Sequence, residues 1–300
     1  MNDYQSVREG GAGLIDLSAS RGRIRVTGSE AVMFLNGLIT NDIKNATDSS
    51  WLPAVFPTVQ GRLIGAVRIL RYEDGFLIDT EAASLEAVLK TISRFTMAGD
   101  FQVTDVSNEI ALLSVQGKGA SDVIDAANVV GIRATHTGEE GFDVLTSEPI
   151  MEQLVAAGAQ PVTPETFETL RIEAGIARHG KDMDETNVVV ETNLDDAISY
   201  TKGCYVGQEI IVRIKHRGHV AKKLTGLKFE AAVQDGGVIT SEDGKEVGRV
   251  TSSTYSPKLE SHIALGYVRY EYLAAGTKVK AGEIAGTVTE LPFVRGSWYE

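Results

Sequence analysis

The chain carries one cysteine, and it lies in the most chemically pointed stretch of the sequence, Lys202-Gly203-Cys204-Tyr205-Val206-Gly207-Gln208-Glu209. Glycines stand on both sides of the thiol, at 203 and 207, and glycine permits positive φ and close approach of a ligand to the backbone. A nearby ammonium such as Lys202, or a helix N-terminus, would depress a thiol pKa and make the thiolate available. A lone free cysteine is also commonly a small buried hydrophobe, and on chemistry alone the two readings stand about even. Further along, Arg213, Lys215, Arg217, Lys222 and Lys223, with His216 and His219 interleaved, form the densest positive cluster. Most such runs are solvated surface. In a chain of net charge −12, however, an anionic tail or partner has to find a local basic patch.

Other cofactor signatures are missing. Gly117-Lys118-Gly119 begins a dinucleotide fingerprint but lacks its third glycine, and there is neither a P-loop nor a G-x-S-x-G elbow. His216 and His219 have metal-like spacing without a second pair, so no metal site is expected. The acidic balance argues against direct nucleic-acid binding. A single cysteine excludes an intramolecular disulfide and fits a reducing compartment. Met1 to Gly10 lacks the basic and apolar regions of a signal peptide, and no stretch is long and apolar enough for a membrane span. The expectation is a cytoplasmic protein.

With 300 residues, 43% hydrophobic and 23% charged, the chain has material for two or three domains. Arg23–Val26 reads as a strand, followed by a helix carrying Val32, Phe34, Leu35 and Leu38. A separate unit is expected over 51–106: strands at 63–70 and 76–79 joined by Glu73-Asp74-Gly75, a helix at 82–95 with Leu85, Val88, Leu89 and Ile92 on one face, and a closing strand at 101–103. The flanks, 1–50 together with 107–206, alternate strands (110–115, 131–135, 141–145) with helices (117–127, 149–157, 164–174) and form one discontinuous α+β domain. Residues 207–218 read as a strand entering a third domain, 207–300, of short strands with glycine turns: a small β-barrel.

The cysteine stretch resembles the K-G-C-[FY]-x-G-Q-E signature of the YgfZ family, whose fold is that of the glycine-cleavage T-protein. Other segments agree in order: Val26-Thr27-Gly28, Phe34-Leu35 and Thr40-Asn41-Asp42; Gln60-Gly61-Arg62; Thr137-Gly138-Glu139-Glu140-Gly141-Phe142-Asp143; Leu170-Arg171-Ile172-Glu173-Ala174-Gly175 with Gly180, Asp182 and Met183; and Val250-Thr251-Ser252. The resemblance runs from about Leu14 to Val288. It implies a ring of three domains around a pocket for tetrahydrofolate or a derivative, with the pterin held by Glu139 and Arg171. It also implies a role in iron–sulfur cluster assembly or maintenance and, through it, tRNA modification, with Cys204 as the functional thiol. The partners would be a reduced folate and iron–sulfur assembly proteins or client enzymes, and Arg213, Lys215 and Arg217 offer contacts for an anionic tail or partner. Without the family, Arg171 reads as an interior salt bridge to Glu173 or Asp182, and Glu139 as an exposed turn residue.

One departure matters. Where the T-protein carries a working aspartate, this chain has Gly65 and Ala66, which hold neither a proton nor a cation. Aminomethyl transfer in the T-protein manner is therefore not expected. The alternatives are a tetrahydrofolate-dependent aminomethyltransferase acting on a small amine, which lacks its acid here, and a non-catalytic scaffold, which would require an inert Cys204.

Overall fold

The computed structural model describes residues 2–97 and 99–300. Two five-stranded sheets and a closed six-stranded barrel account for its strands. The first sheet runs Gln160–Pro161, Gly13–Asp16, Ala111–Gln116, Gly141–Thr146, Ile132–Arg133. Helices Ala120–Ala127 and Met151–Ala156 cover it through Val123, Ile124, Leu154 and the strand residues Leu14, Leu113 and Val115.

The second sheet runs Leu52–Pro57, Leu63–Tyr72, Gly75–Glu81, Arg21–Thr27, Gln102–Asp105 and is antiparallel throughout. The helix Ala82–Ser93 packs Val88 and Ile92 onto it. Alternation along the strand sends Gly65, Val67 and Ile69 to one face and Ala66 and Arg68 to the other, while a bulge before Gly65 puts Ile64 with Val67 and Ile69 and Leu63 with Ala66. Gly65 is where the helix comes closest: a Cβ there would lie 2.5 Å from a Val88 methyl.

The barrel closes in the order Lys222–Phe229, Ser261–Arg269, Glu246–Ser256, Val238–Ser241, Lys278–Ala281, Ile284–Thr289. Leu227, Phe229, Ile239, Val247, Val250, Ala264, Val268 and Val288 fill it. Leu224, Leu265 and Tyr267 on its outer wall pack against Ile172 of helix Pro164–Glu173.

The α+β class, the three units and the barrel agree with the sequence reading, while two boundaries move. Arg21–Thr27 pairs with Gly75–Glu81, and Ala31, Leu35, Leu38, Ile39 and Ile43 join the second sheet's core. The inserted unit therefore begins near residue 21, not 51. Residues 208–217 are a helix, Gln208–Arg217, and not the strand its Ile-Ile-Val-Arg-Ile run suggested. Glycines in left-handed conformation bound it at 207 and 218, and Lys215, His216 and Arg217 in its last turn complement the helix dipole. The barrel thus starts at Lys222. No helix among the described residues is long and apolar enough to cross a membrane.

Candidate functional site

The cysteine stretch, the Thr40-Asn41-Asp42 segment and the Gln60-Gly61-Arg62 turn converge beside the second sheet and the basic helix. Lys202 is buried, and its ammonium donates to three main-chain carbonyls, Asn36 at 2.7 Å, Ile39 at 2.9 Å and Asn41 at 2.6 Å. Thr40 donates to the Ala197 carbonyl and accepts from the Val55 amide, and the Asn41 amide donates to the carbonyls of Pro53 and Asp196. On the far side of the cysteine, the Val206 N–H donates to the Gly37 carbonyl. Gly207 sits at φ +77°, where a Cβ would lie 2.4 Å from the Thr58 carbonyl, and Gly61 lies under Ile210. Tyr205 is buried with Val55, Leu63, Met183, Val189 and Ile211, its ring centroid 5.2 Å from the Lys202 nitrogen. Gln208 opens the basic helix, its N–H donating to the Tyr205 carbonyl, and Glu209 is exposed in the first turn.

Between these anchors Gly203 and Cys204 are exposed. The thiol is not a core filler. Lys202 gives all three of its ammonium hydrogens to main-chain carbonyls rather than to the thiol. Its role is to hold the loop. Burial lowers the Lys202 pKa to about 8, with Asp42 opposing the shift. Lys202→Met, which strands three carbonyls, is expected to lower stability by about 2 kcal/mol, read from the urea midpoint. A change below about 0.5 kcal/mol would mean that desolvating the charge cancels its bonds.

Glu139 and Arg171 are both buried, each in a polar network of the frame. One Glu139 oxygen accepts from Arg8 at 2.7 Å, and the other accepts from the Ser297 N–H and hydroxyl at 2.8 and 2.7 Å. Burial pushes this carboxyl up, and the Ser297 and Arg8 bonds outweigh that and hold it below its ordinary value. Arg8 continues to Glu173 at 2.8 Å, so the N-terminal helix, the 137–140 turn and the C-terminal tail are tied together. Each of the five Arg171 N–H donors has an acceptor: both Glu168 oxygens, the Ile176 carbonyl, Asp182 and the Ser252 hydroxyl. Asp182 in turn accepts from Thr251, Ser252 and the Arg178 N–H. As the side chains stand, Arg171 has no donor left for a pterin and Glu139 is engaged at both oxygens. In this arrangement the protein's own groups hold both side chains. The Asp182 pairing is the interior bridge that the residues alone suggested, whereas Glu173 turns to Arg8.

The strand Leu63–Tyr72 bears no acid at 65 or 66. Gly65 faces Val88 and Ser84, leaving no room for a carboxylate, and Ala66 points the same way as Arg68. Arg68 donates to Asp79 at 2.7 Å and to Asp143 at 2.8 Å, which also accepts from the Trp51 indole at 2.9 Å and meets His136 at 3.0 Å. Both aspartates are fully buried. Sequence reasoning passed over Arg8, Trp51, Arg68, Asp79 and His136, and named Asp143 only as the end of a motif. The available signal was a charge inside an apolar strand, as in Gly141-Phe142-Asp143-Val144-Leu145, since unpaired charges are almost never buried.

In the basic run, Arg213, Lys215, His216, Arg217 and His219 are exposed. Lys215 lies 5.2 Å from the Tyr200 ring and Lys223 3.9 Å from Asp195. Arg213 and Arg217 have no side-chain partner among the described residues. Nor do those residues include a group of three or more His, Cys, Asp and Glu arranged to hold a metal.

This arrangement of two α+β units and a six-stranded barrel is that of a solved aminomethyltransferase. The crystal structure of glycine cleavage system aminomethyltransferase T from Bartonella henselae superposes with a TM-score of 0.88 over 98% of this chain and 89% of that one, at 23% identity. Residues 1–129 match the GCVT N-terminal domain and residues 222–295 the glycine cleavage T-protein C-terminal barrel domain. An aminomethyltransferase of Rubrobacter xylanophilus is 30% identical over 98% of this chain and 86% of its own length. Another, from Thermoanaerobacter pseudethanolicus, is 26% identical over 93% and 84%. The chain belongs to the glycine cleavage T-protein family, whose cofactor is tetrahydrofolate.

Proposed function

We propose that this protein is a tetrahydrofolate-binding member of the T-protein family that does not transfer aminomethyl groups. Its distinctive chemistry resides in the Cys204 loop, and it supports the assembly or maintenance of iron–sulfur enzymes in the manner of the YgfZ branch, with tRNA modification as a downstream beneficiary. The observation that carries this reading is a substitution of parts within one fold. The strand that would present a carboxylate has Gly65 packed on Val88 and Ala66 beside Arg68. Meanwhile an exposed thiol is clamped from both sides by Lys202 and Val206.

Glu139 and Arg171 serve the folate by fixing the 137–140 turn and the 176–182 loop. Tetrahydrofolate, when bound, supplies a one-carbon carrier. The chain's own residues supply the frame and a thiol in reach of solvent and of a docked partner. Two measurements test the reading. Calorimetry should detect tetrahydrofolate binding, and its absence would end the folate assignment. Incubation with an aminomethyl-lipoyl substrate and tetrahydrofolate should give no turnover near the roughly 1 per second or faster of ordinary enzymes. Turnover at that rate would favour the aminomethyltransferase reading, which the relatives' names support.

A further inference from the structure

We infer that the cavity between the 180–187 loop and the outer wall of the barrel is a binding site for an oligoanion, a small molecule carrying two or more carboxylates or phosphates in a row. The cavity holds about 540 Å³, within the range of small-molecule sites. Strand register builds its charged wall. Lys222 pairs directly with Arg269, and Arg249 directly with Tyr267, so all four side chains leave the same face of the barrel sheet.

Like charges directly opposite on paired strands destabilise a sheet. Lys222 and Arg269 take those positions, and neither they nor Arg249 forms an ion pair among the described residues. Lys222 feels Asp184 and the buried Glu191, but Asp184 is already bonded to Thr186. The remaining charges on the wall are Lys181, paired with Asp235 at 2.6 Å, Asp182, whose oxygens are taken by Arg171, Thr251 and Ser252, and the exposed Glu246. Tyr267 lines the cavity, and its buried hydroxyl has no hydrogen-bond partner, an arrangement that costs free energy until an acceptor arrives. Burial, with Glu191, Asp182 and Asp184 nearby, keeps that phenol protonated and hence a donor. Two guanidinium forks, an ammonium and one buried hydroxyl donor around a chamber of this size suit a row of anionic oxygens.

Two sources share that chemistry: the γ-glutamyl carboxylates of a folate tail, which rests on the folate reading above, and a phosphorylated metabolite, which does not. Calorimetry at low salt with tri-γ-glutamate and, separately, with inorganic triphosphate distinguishes them. Binding of the first assigns the folate tail, and binding of triphosphate alone assigns a phosphorylated ligand. In either case Arg249→Gln and Arg269→Gln should each weaken binding about tenfold, the loss of one charged hydrogen bond. Tyr267→Phe should weaken it as well, and all three variants should keep the wild-type affinity for monoglutamyl tetrahydrofolate. If neither probe binds, or if binding ignores both arginine replacements, the site does not exist. A protein that takes triphosphate but no tetrahydrofolate would end the folate reading and leave this one standing.

Discussion

Cys204→Ser is expected to unfold at the temperature of the wild type, to keep its affinity for tetrahydrofolate, and to fail to rescue a strain lacking its own YgfZ-type protein. The first half follows from exposure. Cys204 is at the surface, and a Cβ added at Gly203 would meet nothing within 4 Å, so the loop has room around it. A serine hydroxyl there stays in water and avoids the roughly 1–3 kcal/mol cost of burial. Substitutions at such positions usually fall within about 0.5 kcal/mol of neutral. The second half follows from construction. Lys202 grips three carbonyls before the thiol and Val206 is bonded to Gly37 after it, a degree of fixation that an idle surface loop does not need. Iodoacetamide should modify the native protein at this one thiol, and the modified protein should fail the same rescue. A serine variant that rescues fully would remove Cys204 from the function, and a fall of several degrees in melting temperature would show that the sulfur packs after all.

What the sequence made legible is what local pattern encodes. Alternation in 63–70, the apolar face of Leu85, Val88, Leu89 and Ile92, and the glycine-punctuated strands after residue 222 all have their counterparts in the second sheet, its helix and the barrel. Gln208–Arg217 misled because four β-branched residues imitate a strand. The deciding facts are the left-handed glycines at each end and the docking of Ile210 and Ile211 on Gly61, and the latter is a tertiary contact. The boundary near residue 21 was hidden for a related reason. A strand beside one sheet in sequence can pair with the next, and Arg21–Thr27 does so with partners fifty or more residues away.

The site was legible at Cys204 and its neighbours because their types are unusual. It was not legible at Arg8, whose partners Glu139 and Glu173 lie 131 and 165 residues further on. Arg171 shows the same limit from the other side. Its motif marked it and the residues offered Asp182 as a partner, but only the geometry reveals that Glu168, Ile176 and Ser252 occupy its other donors.

Asp143→Asn is expected to destabilise the fold by about 3 kcal/mol or more, a large part of the roughly 5–15 kcal/mol a domain possesses. Asp143 is fully buried and is the acceptor at which the two sheets meet. Arg68 and Trp51 reach it from the second unit, His136 from the first. Arg68 also serves Asp79, which Arg21 neutralises from the other side. Removing the charge at 143 takes away the carboxylate that Arg68, Trp51 and His136 share, and breaking one member of such a cluster costs more than the cluster itself contributes. Burial alone would push the Asp143 carboxyl up, but His136 and Arg68 reverse this and hold it well below the usual range; Arg21 and Arg68 do the same for Asp79. The unfolded chain therefore binds more protons, so the stability from these carboxylates is complete above the unfolded pKa of about 4 and drains away as pH falls below it. Urea midpoints measured from pH 7 down to pH 3 should fall steeply below about pH 4 in the wild type. In Asp143→Asn they should start lower and fall less, because one of the titrating groups is gone. Parallel curves for the two proteins would mean that the charge on Asp143 does not hold the sheets together.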